Sequence, residues 1–204
     1  MTLIERDHVP SEASLPTPYG EFVIRVFHEE ETGLDHVAMT LGSMDGPDPV
    51  LVRLHSECLT GDVFGSLRCD CGPQLHAALE RISTRGWGVV LYLRQEGRGI
   101  GLHGKIQAYR LQDHGLDTLD ANLALGYPGD ARRYDIAARM IDALGIREIT
   151  LLSNNPDKVK QLESHGVSVH GRDPLVAGVG EDNRSYLETK QRRMGHLIED
   201  EDIV

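Results

Sequence analysis

All three cysteines of this 204-residue chain lie in one short stretch, CLTGDVFGSLRCDC, at positions 58, 69 and 71. A lone cysteine is usually a small buried side chain, but glycines and charged residues surround these three. Thiolates at this density are typical of a tetrahedral zinc site. The sequence therefore predicts that Cys58, Cys69 and Cys71 bind one zinc ion.

The fourth ligand of that zinc is not evident from the pattern. His55 or His76 is near enough along the chain to close a structural site, whereas a water molecule in the fourth position would make the site catalytic. No short pair of histidines or cysteines completes a finger-like pattern. This favours the open arrangement, in which zinc activates water.

Two neighbouring motifs match known sites only in part. HSE at 55–57, followed by cysteines, fits the first half of the zinc deaminase signature, but C-x-C stands in place of P-C-x-x-C. GIGLHGKI at 99–106 approaches the phosphate-binding loop, but Ile106 replaces the hydroxyl residue that binds magnesium. Backbone amides and Lys105 remain available to hold phosphate there.

A charged, glycine-rich loop, RQEGRGIG at 94–101, lies between an apolar strand and a helix. Its glycines allow close approach of a ligand to the backbone, and its arginines suit phosphate. The carboxylate of Glu96 suits an amidine-like edge such as that of guanine. An ordinary surface turn is the alternative interpretation.

The charge of the chain is unevenly distributed. A formal net charge of −11 argues against non-specific nucleic-acid binding. Residues 51–110, however, include eight basic and five acidic side chains. That excess suits a small polyanionic ligand as well as it suits solvated surface arginines.

The spacing of apolar residues, which predicts the elements that position these side chains, changes from strand-like to helix-like along the chain. Alternation from Tyr19 to Met44 predicts antiparallel strands, and PVLVRLHSE predicts a further strand with Arg53, His55 and Glu57 on one face. Helical spacing and strands then alternate, with predicted helices that end at Gly86, Gly115, Gly145 and Gly166. We therefore expect an α/β protein whose mixed sheet has N-terminal antiparallel strands and a C-terminal βαβ-type part with parallel strands.

The expected organisation is an N-terminal extension at 1–18, one catalytic domain at 19–189 and a partly disordered tail at 190–204. No charged-then-apolar leader or long apolar run is evident, so we expect a cytoplasmic protein with reduced thiols and no membrane contact.

Four stretches occur together and in order: RLHSECLTGDVFGSLRCDCGPQL, RQEGRGIGL, ANLALGYPGDARRY and LLSNNPDKV. In these the chain resembles GTP cyclohydrolase II, which catalyses the first step of riboflavin biosynthesis, from about Leu15 to Ile198. The resemblance implies conversion of GTP to 2,5-diamino-6-ribosylamino-4(3H)-pyrimidinone 5′-phosphate with release of formate and pyrophosphate. It also implies zinc, magnesium and a homodimer.

Carried over by matching position, the zinc ligands are Cys58, Cys69 and Cys71 with a water molecule. The resemblance implies GTP contacts at Arg53, Leu54, His55, Ser56, Glu57, Gln74, Glu96, Gly97, Arg98, Thr118, Ser153 and Lys158. It also implies a proton acceptor at Asp130, an arginine that attacks the α-phosphorus at Arg132 and a tyrosine near the opened ring at Tyr109. Ser153 stands where the family often has threonine, and it keeps the hydroxyl.

Arg132 could act either as a covalent nucleophile or as a charge clamp. Arginine is effectively always protonated, which favours a clamp on transition-state charge over a covalent nucleophile.

Three alternatives stay open at this stage. One is a variant that stops at the formamidopyrimidine intermediate, and another is a zinc-dependent nucleobase deaminase that would release ammonia instead of formate. The last is a non-catalytic nucleotide-binding protein with a structural zinc.

Overall fold

The computed structural model of the chain describes residues 11–203, and in this part seven strands form one mixed sheet. The strands are β1 (Glu12–Thr17), β2 (Gly20–Glu29), β3 (Leu34–Leu41), β4 (Val50–Ser56), β5 (Gly88–Leu93), β6 (Glu148–Leu152) and β7 (Ser168–Asp173). The helices are α1 (Leu59–Asp62), α2 (Cys71–Arg85), α3 (Gly101–Gln112), α4 (Thr118–Ala124), α5 (Asp135–Ala143), α6 (Pro156–Ser164) and α7 (Arg184–Met194).

The sheet divides into an antiparallel and a parallel half. Its order is β1-β2-β3-β5-β4-β6-β7. The pairs from β1 to β5 are antiparallel, whereas β5–β4, β4–β6 and β6–β7 are parallel. The predicted α/β class with a mixed sheet is confirmed.

Apolar side chains of β4 alternate between two cores, one on each side of the sheet. Val50, Val52 and Leu54 pack in the cluster that contains α5, whereas Leu51 packs in the cluster that contains α2. Arg53 continues the α2 side of the strand and is only 6% exposed. The polar face of β4 is therefore buried and cannot be a solvated surface.

Local signals set the ends of the helices that flank the parallel half. Gly86 ends α2 with a left-handed φ of 87°, and the Asn155 side chain caps α6 by accepting from the backbone N–H of Asp157. Pro156 occupies the first turn of α6, where a backbone N–H would have no partner within the helix, so its missing N–H costs nothing. These boundaries confirm the sequence prediction.

Several elements differ from the expectation. Helix α4 is not among the predicted helices. It forms because the Asp117 carboxylate accepts hydrogen bonds from the N–H groups of Leu119 and Asp120 and so caps it. Strand β1 lies within the expected extension, where it pairs with β2 at the sheet edge. Helix α7 crosses the expected start of the tail at residue 190.

Among the described residues, no helix has the length and apolar character needed to cross a bilayer.

Gly42, directly after β3, lies against Gly86 and Trp87, at the end of α2. Its φ is +69°, and an added Cβ would collide with the carbonyl oxygen of Gly86 and lie 2.9 Å from Cβ of Trp87. Gly33 has the same φ with nothing within 4 Å of an added Cβ. We expect Gly33→Ala to lower the free energy of unfolding by about 1 kcal/mol through backbone strain alone. Gly42→Ala should cost about 2 kcal/mol more because the steric clash is added.

Urea denaturation of the two variants and the wild type measures this difference. Equal losses for both glycines would contradict the close contact between the end of β3 and the end of α2.

Candidate active site

A cavity opens at the carboxyl ends of β4, β5 and β6, where parallel strands present their last residues at one edge of the sheet. Ser56 ends β4, Glu96 follows β5 and Ser153 follows β6, and all three line this cavity. Ligands commonly bind at such an edge in α/β folds. The topology therefore brings together segments that are far apart along the chain.

The three cysteines form one cluster at this cavity. Their sulfur atoms lie within 4.8 Å of one another, and Cys58 Sγ is 3.6 Å from Cys69 Sγ. Tetrahedral zinc with Zn–S bonds of about 2.3 Å separates its sulfur ligands by about 3.8 Å. Gly61 leaves the required space, because an added Cβ would lie 2.8 Å from Cys69 Sγ and 3.2 Å from Cys58 Sγ. The donor set and its spacing fit zinc.

Neither histidine considered as a fourth ligand joins the cluster that the described residues form. His55 Nε2 contacts the Asp62 carboxylate at 2.9 Å, and His76 stacks on Tyr19 with ring centroids 6.1 Å apart. Among the described residues, the cluster therefore consists of the three thiols.

Lys105 lies against the cysteine cluster and not against a phosphate loop. Its ammonium donates to Cys58 Sγ at 3.0 Å and to Glu96 Oε1 at 2.8 Å. Burial alone would lower the pKa of Lys105, but the Cys58 thiolate and the Glu96 carboxylate raise it above its usual range. Hydrogen bonds from Cys69 and Cys71, together with the charge of Lys105, lower the pKa of the Cys58 thiol. Lys105 therefore offsets part of the negative charge of the thiolates.

Glu96 fixes the glycine-rich loop to the end of the cavity that contains Cys58, Cys69 and Cys71, called here the metal end. Its carboxylate accepts hydrogen bonds from the N–H of Leu59 at 2.7 Å and of Gly97 at 2.7 Å, besides the bond from Lys105. The loop is thus joined to α1, directly after Cys58.

Asp62 serves a similar purpose on the other side of Cys58. Its carboxylate accepts from the N–H of Cys58 at 2.9 Å and from the hydroxyl of Tyr92 at 2.8 Å, and it also binds His55. Burial lowers the pKa of His55, while the bond to Asp62 opposes that shift. These contacts hold the first cysteine at the end of β4.

Tyr109 reaches the metal end from α3. Its hydroxyl lies 3.2 Å from Thr60 Oγ1, and the guanidinium of Arg68 lies over its ring, 5.0 Å from the centroid. Burial raises the pKa of Tyr109 to about 12, so the phenol is protonated at neutral pH. It is a proton donor placed beside the cysteine cluster.

Four cations, Arg53, Arg98, Arg132 and Lys158, make up what we call the cationic end of the cavity. Arg53 donates to the carbonyl of Leu152 at 3.0 Å, and Lys158 donates to the carbonyl of Leu54 at 2.8 Å. Burial, and then repulsion from Arg53, Arg132 and Lys190, holds the pKa of Lys158 well below its usual range. An anion bound here would remove that repulsion.

Arg132 and Asp130 form an ion pair on the loop before α5. Arg132 Nε donates to both Asp130 carboxylate oxygens, at 2.9 and 3.1 Å. Burial would lower the pKa of Arg132, but Tyr134 and the carboxylate of Asp130 raise it. The guanidinium is therefore a permanent positive charge aimed at the cavity.

Arg98 has a strained backbone and an unpaired guanidinium. It is the single non-glycine with positive φ among residues 11–203, at 60°, between Gly97 and Gly99. Its two terminal nitrogens are buried and have no hydrogen-bond partner in the described chain. The N–H of Ala131 donates to its carbonyl at 3.0 Å, and an added Cβ on Gly99 would lie 3.1 Å from Ala131. This loop contact holds a group that suits a phosphate.

Most residues expected to contact substrate line the cavity. They are Arg53, His55, Ser56, Glu57, Gln74, Glu96, Gly97, Arg98, Thr118, Ser153 and Lys158. The exception is Leu54, whose side chain lies in the core and whose carbonyl binds Lys158. Tyr109 and Arg132 also line the cavity, whereas Asp130 acts on it through its ion pair with Arg132.

A group of lining residues from the end of the chain was not expected. It consists of Tyr186, Lys190, Met194, His196 and Ile198. Residues 190–204 carry charges of both signs, typical of a tail, and no local spacing indicates that they turn inward.

Comparison with known proteins agrees with this geometry. The family model described as GTP cyclohydrolase II matches residues 7–174. GTP cyclohydrolase-2 of Acinetobacter baumannii (strain SDF) is 55% identical over 192 residues, which cover 94% of this chain and 96% of that protein. GTP cyclohydrolase-2 of Azotobacter vinelandii (strain DJ / ATCC BAA-1303) is 56% identical over 91% of this chain and 89% of its own.

Riboflavin biosynthesis protein RibBA of Bacillus subtilis (strain 168) is 52% identical over 97% of this chain, which spans 49% of that longer protein. With a family model over most of its length and relatives matched nearly end to end, the chain belongs to the GTP cyclohydrolase II family of enzymes.

Proposed function

We propose that this chain hydrolyses GTP to 2,5-diamino-6-ribosylamino-4(3H)-pyrimidinone 5′-phosphate, formate and pyrophosphate in the cytoplasm, as the first step of riboflavin biosynthesis. The observation that carries the proposal is the pairing, in one cavity, of a three-cysteine cluster with four basic side chains, of which Arg53 and Lys158 are buried. The cysteine cluster suits a reaction with water, and the cations suit a triphosphate.

Zinc, when held by Cys58, Cys69 and Cys71, supplies a Lewis acid and a water molecule of lowered pKa. Around it the chain's own residues divide the remaining work. Lys105 balances thiolate charge, and Tyr109 offers a proton to the guanine ring as it opens. Glu96 keeps the glycine-rich loop in place, so its contribution to GTP binding lies in the loop that it holds.

At the cationic end, Arg53, Arg98 and Lys158 are suited to the oxygens of the triphosphate. Arg132, paired with Asp130, stabilises charge at the α-phosphate while water attacks the α-phosphorus and pyrophosphate leaves. Its raised pKa supports a charge clamp and not a nucleophile. Mg²⁺ would arrive with the triphosphate, whose oxygens are its preferred ligands.

We also propose a homodimer. Val63, Phe64 and Leu67, between α1 and α2, are 66%, 71% and 68% exposed. Large apolar side chains grouped in one loop are typical of surfaces that a partner covers.

Replacing Cys69 by Ser should remove zinc and ring opening together. We expect formate release from GTP to fall by about a hundredfold or more, since a hydroxyl is a poor ligand for this metal. The measurements are zinc content by elemental mass spectrometry and formate and product mass after incubation with GTP and Mg²⁺. Circular dichroism should show a folded variant.

Ring opening that persists in zinc-free protein would overturn the metal role. Ammonia in place of formate would indicate a deaminase, and a formamide product would indicate an enzyme that stops at the intermediate.

Replacing Arg132 by Ala should slow pyrophosphate release by about a hundredfold, because the charge at the α-phosphate is lost. Arg132→Lys should recover only part of the rate, since an ammonium lacks the planar fork. Arg133→Ala is the matched control, because the Arg133 side chain is exposed and pairs with Glu31 and Asp135. A coupled pyrophosphate assay measures all three.

Equal rates for Arg132→Ala and Arg133→Ala would remove Arg132 from the phosphate step.

A further inference from the structure

The family model ends at residue 174, yet the chain beyond it returns to the cavity. Helix α7 and the turn after it, residues 184–198, place five side chains in the cavity wall. We propose that this segment, called here the C-terminal wall, recognises the polyphosphate of the substrate, and that Lys190 and His196 are its specificity-determining residues. The inference rests on the proposed function, since it assigns part of the same substrate.

The C-terminal wall is anchored at several points. Arg193 forms an ion pair with Asp117 and Asp120, and its two contacts to Asp120 are 2.9 and 3.0 Å long. These two aspartates begin α4, the helix that also carries Thr118. The N–H of Leu197 donates to the carbonyl of Asn154 at 2.8 Å, directly after β6. The wall is therefore held against elements that already shape the cavity.

Lys190 is buried and connects the wall to both ends of the cavity. Its ammonium donates to Asp70 Oδ1 at 2.7 Å, and Asp70 lies between the ligand residues Cys69 and Cys71. Asp70 Oδ2 accepts from Gln74, whose Oε1 accepts from Arg53 at 2.6 Å. A continuous set of hydrogen bonds thus runs from α7 to the central strand.

The ammonium of Lys190 has donors left for a ligand. It carries three N–H groups, and Asp70 is the hydrogen-bond acceptor that the structure gives it in the described chain. Its nitrogen also lies 4.4 Å from the ring centroid of Tyr186, and Arg98 lies 5.6 Å from the same centroid. One aromatic ring therefore lies near two cations that line the cavity, and two positive charges at one cavity suit a multiply charged anion.

His196 lines the cavity together with Lys190, Arg132, Lys158 and Arg98, and its backbone N–H donates to the carbonyl of Lys190 at 3.0 Å. Burial, and then the charges of these four residues, lower the pKa of His196 to about 2, so the imidazole is neutral. A neutral ring offers one N–H donor without adding charge to a region that already holds four cations. Phosphate oxygens are the acceptors that such a surrounding favours.

Two variants and a matched control test the wall. Lys190→Met and His196→Phe should raise the KM for GTP by about tenfold and about fivefold, from the loss of a charged and a neutral hydrogen bond. Both should change kcat far less than KM. Arg192→Met removes a positive charge from an exposed position on the same helix and should leave KM within about twofold. Lys190→Arg should restore most of the affinity.

A second readout does not depend on turnover. The Kd of inorganic pyrophosphate, measured by calorimetry on the zinc-loaded full chain, should rise in Lys190→Met and His196→Phe by the same factors as the KM. Zinc content and thermal denaturation identify any variant that fails to fold or loses metal. If Lys190→Met fails in this way, because Asp70 lies between two ligand residues, His196→Phe decides.

KM and pyrophosphate Kd values equal to those of Arg192→Met would overturn the inference while wild-type GTP hydrolysis stands. A wild-type chain that neither binds nor hydrolyses GTP would instead contradict the proposed function.

Discussion

A partly buried excess of positive charge is the constraint on which the rest of this site depends. Seven basic and three acidic side chains line the cavity. The acidic ones are already paired, Glu57 with Arg94, Asp70 with Lys190 and Glu96 with Lys105. Burying a charge without a partner is costly. The fold meets part of that cost with backbone carbonyls of β4 and β6, which accept hydrogen bonds from Lys158 and Arg53. A bound polyanion would meet the remainder, which is why the geometry favours one so strongly.

The same constraint accounts for the strained loop at residues 97–99. A left-handed backbone at a non-glycine costs about 1–3 kcal/mol and persists only where the surroundings enforce it. Here they do, since the glycines on either side of Arg98 permit the turn and Ala131 holds it through a hydrogen bond. The strain directs a guanidinium into the cavity with its terminal nitrogens unpaired. A bound anion can therefore form hydrogen bonds with the terminal nitrogens of Arg98, which have none within the described chain.

Sequence reasoning succeeded where the determining interactions are local. Three cysteines within fourteen residues indicate a cluster that could hold a metal without any knowledge of the fold, and glycine or Asn-Pro signals locate the ends of α2 and α6. The polar face of β4 could not be assigned, because alternation alone does not say whether a second layer covers it. The sequence pattern did not predict α4 despite the local cap at Asp117, because this short helix has little apolar periodicity of its own.

The contribution of the C-terminal wall could not be predicted, and the reason is physical. The ion pair of Lys190 with Asp70 joins residues 120 positions apart, and a basic side chain near a chain end is ordinarily solvated. The two ends of the cavity differ in this respect. The metal end is built mostly from residues 58–71, with Lys105 and Tyr109 added from α3. The cationic end needs β4, the 94–101 loop, α6 and the loop before α5 in place together, and the C-terminal wall adds Lys190 from α7. A metal cluster can therefore form with the local chain, whereas phosphate recognition requires the completed fold, and GTP binding is the property that reports on it.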